Sequence, residues 1–356
     1  MGLRTRGTSS FVGALAVALL VSCRAPDGTV GPEDRSFVER PGEGPNVVEI
    51  ATPWLDGCGS GCGNAYLELA RRFAERGAPI SAAELDRRLA AAEATADAPL
   101  LGLGRDELAR RIVAELRIGW MLDDRERRGL AVAQLAERRG DGFVRRKLLF
   151  WDPLVGSFEG TLLLPGGSGR HPAILGLHGH RRDDETFVRD YFGEELAARG
   201  FAVLVPRLRA DDCSRSENRI ARELLERGFT LMGLRVYEAL RMVDYLDTLP
   251  QVDAGRIALF GHSGGSSLAN LLLRVSDRFD AAVVDHEVDF RKRRGPCHLH
   301  CETIPGMFPL AADINDRRTL AIPWMRASYK YVREGESGQV IDFLDRRLAL
   351  VATTDP

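Results

Sequence analysis

The amino-acid sequence predicts an α/β fold with a doubly wound, mostly parallel sheet and an N-terminal helical extension. Short apolar runs alternate with amphipathic helical patterns through residues 141–356. Such alternation is typical of a parallel sheet that helices cover on both faces. Residues 51–140 instead place apolar side chains at helical spacing, as in Leu85, Leu89 and Ala92. Because ligands bind doubly wound sheets beyond the carboxyl ends of the strands, we expect the active site there.

The bulk composition indicates a soluble globular protein. The chain has 356 residues, of which 44% are hydrophobic and 28% charged, and its formal net charge is -2. This balance gives no reason to expect a nucleic-acid partner.

The N-terminus has the pattern of an export signal. Two arginines precede an apolar run, residues 11–21, that is too short to span a bilayer comfortably. We predict a signal peptide over residues 1–22. The run ends in Leu-Val-Ser-Cys, which resembles a bacterial lipobox and implies cleavage before Cys23, a lipid anchor on that residue, and an exported, membrane-anchored protein. An ordinary signal peptide with an incidental cysteine is the alternative. Residues 23–50 are predicted to be a flexible tether.

The elements of the larger domain, residues 141–356, follow in order. We predict a β-hairpin from strands 144–151 and 158–164, because two β-like runs flank a Pro/Gly turn. Further strands are predicted at 173–177, 201–205, 256–260, 281–284 and 319–327. Helices are predicted at 187–199, closed by Gly200, at 220–249, with breaks at Gly228 and Gly233, and at 263–275.

One motif carries chemistry. The segment Gly261-His262-Ser263-Gly264-Gly265 lies between a predicted strand and a predicted helix. This is the strand–turn–helix context of a nucleophile elbow, a turn so tight that glycines must flank the serine. The turn places the Ser263 hydroxyl at a helix N-terminus, where a developing anion is favoured. We predict that Ser263 is a catalytic nucleophile, the alternative being a serine that only caps the helix.

The chain resembles the α/β-hydrolase superfamily over residues 141–356. The resembling stretches are Leu177-His178-Gly179-His180, Phe260-Gly261-His262-Ser263-Gly264-Gly265 and His300-Cys301-Glu302-Thr303-Ile304-Pro305-Gly306. Within the superfamily the chain is similar to serine esterases of the dienelactone-hydrolase and acetyl-xylan-esterase type. The resemblance implies ester hydrolysis through an acyl-serine intermediate.

The same resemblance implies an oxyanion hole. One amide would come from Gly264, the residue after the nucleophile, and another from the loop after strand 173–177. We nominate the backbone N–H of His180, with Gly179 or Arg181 as alternatives if the register differs.

The general base is harder to place. Most α/β-hydrolases carry the catalytic histidine near the C-terminus, but none of the seven histidines here lies in the final 56 residues. Either an earlier loop supplies the base or the triad is incomplete. We predict His300 as the base, because its loop follows strand 281–284 and can fold back over Ser263. His286 is the alternative.

For the acid that orients the base we predict Asp285, at the end of strand 281–284. Asp289, Glu287 and Glu302 are alternatives. The order Ser263, Asp285, His300 is the usual order in α/β-hydrolases.

Cysteines and histidines also crowd residues 297–301. Zinc sites usually pair their ligands across larger loops, and Cys58 and Cys62 are the remaining candidates for a second half, so we predict no metal and no cofactor. In an exported protein, a disulfide from Cys297 or Cys301 is the favoured interpretation of this segment.

These features favour a serine esterase that acts on a small-molecule or carbohydrate ester outside the cytoplasm. A serine peptidase of the same fold would use the same parts. A non-catalytic binding module on the cell surface is the third hypothesis, because the usual C-terminal histidine is missing.

Overall fold

The computed structural model describes residues 76–95, 97–123, 125–209, 215–290, 301–327 and 337–348. They all belong to one compact unit, Pro53–Pro356. The predicted signal peptide, Cys23, the tether and His300 lie outside the described residues. Within those ranges, no helix combines the length and the apolar character needed to cross a membrane.

Helices α1 (Ala82–Glu93), α2 (Arg105–Leu116) and α3 (Gly119–Leu122) open the described chain. The Ser81 hydroxyl caps α1, accepting a hydrogen bond from the Glu84 N–H at 3.2 Å. The face of α1 that carries Leu85 and Leu89 is buried. The helical pattern predicted for this part of the extension is therefore confirmed.

The end of the predicted helical extension is instead strand β1 (Ala131–Arg139). It pairs antiparallel with strand β2 (Phe143–Asp152), and Glu137 lies opposite Arg146. The register shifts between Gln134 and Ala136, which marks a bulge in β1. The helical prediction was wrong here because the helix preference of Ala, Leu, Glu and Arg amounts to only a fraction of a kcal/mol per residue (~0.5), which pairing with a neighbouring strand overrides.

The remaining elements alternate as the sequence predicts. Beyond β2, the strands are β3 (Gly156–Pro165), β4 (His171–Leu177), β5 (Ala202–Pro206), β6 (Val252–Gly261), β7 (Ala281–Val284) and β8 (Trp324–Arg326). The helices are α4 (Asp184–Asp190), α5 (Gly193–Ala198), α6 (Arg215–Glu226), α7 (Leu231–Asp247), α8 (Gly264–Val275), α9 (Ala311–Asn315) and α10 (Gly338–Leu348).

The described strands form one sheet in the order β1-β2-β3-β5-β4-β6-β7-β8. Strands β5, β4, β6, β7 and β8 pair in parallel, whereas β1, β2, β3 and β5 pair antiparallel. Neighbouring residues on β4, Ile174 and Leu175, pack into two separate buried clusters, one on each face. The α/β fold with a mostly parallel, doubly wound sheet is therefore confirmed.

Three predicted elements are split or shortened in the structure. The helix expected at 187–199 is split into α4 and α5 at Phe192, whose φ is 49°. The helix expected at 220–249 breaks at Gly228, where φ is +80°, but not at Gly233, which lies inside α7. Of the strand expected at 319–327, only β8 forms.

The topology brings several loops to one end of the sheet. The carboxyl ends of parallel strands β4, β5, β6 and β7 lie side by side, because the register pairs Leu177 with Gly261 and Gly261 with Val284. His178 and Asp285 directly follow β4 and β7, and Ser263 lies two residues beyond the end of β6. Residues far apart in sequence therefore meet above this end of the sheet.

Candidate active site

The turn between β6 and α8 has the backbone of a nucleophile elbow. Ser263 adopts φ 52° and ψ −119°, a conformation that non-glycine residues rarely take. A side chain on Gly265 would overlap the Leu177 carbonyl, so this turn tolerates only glycine there. Ser263 is partly exposed, while His262 before it and Gly265 after it are buried. The fold therefore presents this one hydroxyl at the N-terminus of α8.

Asp285 holds the elbow in place. Its Oδ1 accepts a hydrogen bond from the Ser263 N–H at 2.8 Å, and the Ser266 hydroxyl lies 2.9 Å from the same oxygen. Burial disfavours its charge, but the contact with His262 and the bond from the Ser263 amide hold the pKa of the Asp285 carboxyl below its usual value. A carboxylate bond to the strained amide offsets part of the cost of the positive φ.

The other carboxylate oxygen of Asp285 contacts His262 Nδ1. The His262 ring is 3% exposed and packs on Tyr191, with ring centroids 4.5 Å apart. Within the described residues, the histidine that Asp285 contacts is therefore the one inside the elbow. Pairing of Asp285 with His300 stays a prediction, since His300 lies outside the described residues.

The loop after β4 packs directly against the nucleophile. A Cβ on Gly179 would lie 2.9 Å from the Ser263 Cβ, so glycine permits this approach. Arg181 takes φ 61° as the chain turns away. Gly264 opens α8, and the first N–H groups of a helix have no partner within the helix. The predicted oxyanion donors, Gly264 and His180, thus belong to the two segments that flank the Ser263 side chain.

His178 is a structural residue. It is fully buried, its Nε2 accepts a hydrogen bond from the Leu208 N–H at 3.1 Å, and its Nδ1 lies 3.0 Å from the Gly179 carbonyl. These two bonds require a neutral ring with the proton on Nδ1. Burial lowers the pKa of His178 to about 4. The imidazole therefore ties the loop after β4 to the loop after β5.

The His180 side chain lies beside the elbow. A Cβ on Gly264 would overlap its Nδ1, so the imidazole rests on the residue after the nucleophile. On the other side of the ring, Nε2 lies 3.3 Å from Cys301 Sγ and 3.5 Å from Glu217 Oε1. Among the described histidines, His180 is the one whose ring contacts Gly264.

Glu217 and Cys301 are buried behind that ring. The Glu217 side chain is 0% exposed, and its Oε1 lies 3.6 Å from Arg235 and accepts a hydrogen bond from the Cys301 N–H at 3.3 Å. Burial and the neighbouring carboxylates raise the pKa of the Cys301 thiol well above its usual value. Cys301 is a free cysteine, so it does not form the expected disulfide, and Cys297 lies outside the described residues.

The alternative base, His286, and the alternative acid Asp289 lie at a second cavity. His286 and Asp289 line a cavity of about 500 Å³ together with Ala312 and Arg326, and Ser263 is not among the lining residues. The side chain of Glu302 is 1% exposed, and this residue follows Cys301. The structure therefore brings His286 and Asp289 together, but at a cavity separate from the elbow.

Sequence reasoning missed Glu217 and Arg235. Glu217 lies in the first turn of α6, where acidic residues are common for helix stability alone. Arg235 belongs to a chain with many surface arginines, yet it is 3% exposed. Complete burial is what distinguishes both, and it depends on tertiary packing that the local sequence does not encode.

Comparison with known proteins identifies one matching family. Residues 158–295 match the model described as Dienelactone hydrolase family. A relative named "Putative hydrolase YtaP", from Bacillus subtilis (strain 168), is 29% identical over 138 residues. The match covers 34% of this chain and 46% of that protein, so the chain spans less than half the length of this relative. The match spans two of the three resembling stretches, those at residues 177–180 and 260–265, and confirms the resemblance.

Two solved structures are also similar. An acetyl xylan esterase from Paenibacillus sp. R4 has 14% sequence identity and a TM-score of 0.49, and the match covers 70% of this chain and 96% of that one. Acetyl Xylan Esterase 1 from Thermoanaerobacterium sp. JW/SL YS485 has 14% identity and a TM-score of 0.45, with 70% and 94% covered.

Proposed function

We propose that this protein is a serine hydrolase that cleaves carboxylic esters through an acyl-Ser263 intermediate. The observation that carries the proposal is the backbone of Ser263, φ 52° at a strand–turn–helix elbow, with the loop after β4 packed against its side chain. A capping serine has no need of this strained geometry, because ordinary N-caps adopt extended backbone. The family match to residues 158–295 supports the same reaction class.

The chemistry follows from the position of each group. A base takes the Ser263 proton as its Oγ attacks the ester carbonyl, and the carbonyl oxygen becomes an oxyanion. The amides of Gly264 and His180 donate hydrogen bonds to that oxyanion. Stabilisation of the oxyanion by such preorganised donors is usually the largest single contribution to the rate enhancement. The alcohol leaves with the proton from the base, and water then hydrolyses the acyl-serine in the same way.

His300 remains our proposed base, with Asp285 as its acid. The position of the next residue supports this choice: Cys301 Sγ lies 3.3 Å from His180, whose ring rests on Gly264, so the chain returns to the elbow at that point. The His180 imidazole is a second candidate, because one ring nitrogen faces the elbow and the other lies 3.5 Å from buried Glu217. A histidine between a nucleophile and a carboxylate is the arrangement that general-base catalysis requires.

The substrate we propose is an extracytoplasmic ester, either a small molecule or an acylated carbohydrate. The predicted signal peptide and lipid anchor at Cys23 support that location, since they would place the domain outside the cytoplasm. A peptidase and a binding module without a working base are the competing hypotheses.

A labelling experiment tests the nucleophile. Wild-type protein is treated with a fluorophosphonate probe and assayed with p-nitrophenyl acetate, beside Ser263→Ala and the matched control Ser276→Ala at the other end of α8. We expect labelling and turnover in the wild type and control, and a loss of turnover of at least about 10³-fold in Ser263→Ala. An unlabelled, inactive wild type would support the binding module, and faster cleavage of peptides than of esters would support the peptidase.

A second set of variants assigns the base. His300→Ala, His180→Ala and His286→Ala are compared by the pH dependence of kcat/KM, which reports the essential base of the free enzyme. We expect the His300 variant to lose activity and the His286 variant to retain it. Full activity in His300→Ala, together with loss of activity in His180→Ala, would show that His180 is the base and His300 is not.

A further inference from the structure

Three side chains of different chemistry meet beside the elbow. They are His180 from the loop after β4, Glu217 from the first turn of α6, and Cys301 from the segment before the 3₁₀ helix Pro305–Leu310. One nitrogen, one carboxylate oxygen and one sulfur, drawn from these residues, all lie within 4.8 Å of one another. Imidazole, carboxylate and thiolate are the ligand types that Zn²⁺ takes in proteins.

We propose that His180, Glu217 and Cys301 form a binding site for a thiophilic divalent cation of the zinc class. With Zn–N about 2.0 Å and Zn–S about 2.3 Å, tetrahedral ligands lie about 3.3–3.6 Å apart. The observed separations from His180 Nε2 are 3.3 Å to Cys301 Sγ and 3.5 Å to Glu217 Oε1. Two of the three separations therefore match those between ligands of one ion, and the third, between Glu217 and Cys301, is within 4.8 Å.

The surroundings suit a buried ion. Glu217 and Cys301 are buried, whereas the His180 side chain is 15% exposed and leaves a route from solvent. Arg235 lies 3.6 Å from Glu217 Oε1, so a bound ion would share this carboxylate with a guanidinium. Binding would replace the Cys301 thiol proton, which leaves to solvent, so the thiolate and carboxylate balance the charge of the cation.

The sequence alone argues against a metal, because Cys58 and Cys62, which lie outside the described residues, are the remaining candidates to pair with residues 297–301. The fold supplies the missing ligands from residues 121 and 84 positions before Cys301. Such an ion would join the loop that carries the His180 amide to the segment that follows His300. It would therefore fix two loops that flank Ser263, whether or not the protein hydrolyses esters.

Cobalt substitution tests the site directly. Purified protein is stripped with a chelator and titrated with Co²⁺, whose tetrahedral d–d bands and thiolate charge-transfer band report the ligands. We expect both bands in the wild type, and in Cys301→Ser we expect the charge-transfer band to vanish and cobalt affinity to fall at least about 100-fold. Glu217→Gln should weaken binding, and the matched controls Glu223→Gln on α6 and His286→Ala should bind as the wild type does.

Folding and activity are separated from binding. Circular dichroism of each variant checks that the fold is intact, and Zn²⁺ should raise the Tm of the wild type but not of Cys301→Ser. Absence of cobalt bands in folded wild type overturns the proposal, as does a charge-transfer band that survives in Cys301→Ser. Failure of the ester assay alone would leave these spectra unchanged, so the two proposals fail independently.

Discussion

Replacing His178 with glutamine is expected to remove a pH dependence from the stability of the fold. In the wild type the neutral ring donates from Nδ1 to the Gly179 carbonyl and accepts from the Leu208 N–H at Nε2. Protonation would place a second N–H against the Leu208 donor in a fully buried site. The folded protein therefore resists protonation of His178, whereas the unfolded chain does not.

The size of the effect follows from the two pKa values. Burial lowers the pKa of His178 from 6.5 to about 4, so the unfolded state binds the proton first as pH falls. Stability from this residue is complete above pH 6.5 and is lost progressively down to about pH 4. A difference of about 2.5 pKa units corresponds to about 3 kcal/mol.

Urea unfolding, followed by circular dichroism at several pH values between 4 and 7.5, measures this loss. At neutral pH, His178→Gln should be less stable than the wild type, and the gap should close by about 3 kcal/mol as pH falls to about 4. His171→Gln, at the other end of β4, is the matched control for replacing an imidazole with an amide. Parallel pH curves for the wild type and His178→Gln would refute this account of the buried imidazole.

Three further outcomes are expected. Gly265→Ala should lower the free energy of unfolding in urea by about 1–3 kcal/mol and abolish probe labelling, because the added methyl group overlaps the Leu177 carbonyl. In the control Gly119→Ala the added methyl group makes only ordinary contacts, so the free energy of unfolding should hardly change. Arg241→Met should cost about 3–5 kcal/mol of unfolding free energy by leaving buried Asp152 without its ion pair at 2.7 Å; a cost under 1 kcal/mol would contradict this. Burial raises the pKa of Glu238 to about 7, so the folded protein keeps this carboxyl protonated at pH values where the unfolded chain has released the proton. The free energy of unfolding of the wild type should therefore fall relative to that of Glu238→Gln as pH rises from 4.5 to 7, and a rise instead would show that the folded carboxyl is charged.

The parallel strands and the elbow could be predicted because their signals are local. Buried strands give continuous apolar runs, as in β4 and β5, and strand β7 was predicted with its observed bounds, Ala281–Val284. The glycines around Ser263 mark a turn that other residues cannot form. Strand β1 was missed because its residues favour a helix and the partner strand alone decides its conformation.

The charged groups of the candidate site were less predictable. The position of Asp285 at a strand end predicts a role in the site, but its contacts with His262 and the Ser263 amide depend on the folded turn. Glu217 reaches the site from a helix that follows a different strand. Pairing between loops is a property of topology, so the strand order predicts which loops meet but not which side chains touch.

Strand β1 has a consequence for how the folded protein behaves at high concentration. It forms the outer position of the described sheet, beyond β2, and most of its side chains are exposed. An outermost strand offers unpaired backbone groups to any other chain, which promotes aggregation. The bulge near Leu135 interrupts the flat edge along which another strand would pair. A strand added there would also lie beside the charged side chains of Glu137, Arg138 and Arg139. The strand that closes this side of the sheet is thus also built to keep copies of the protein apart.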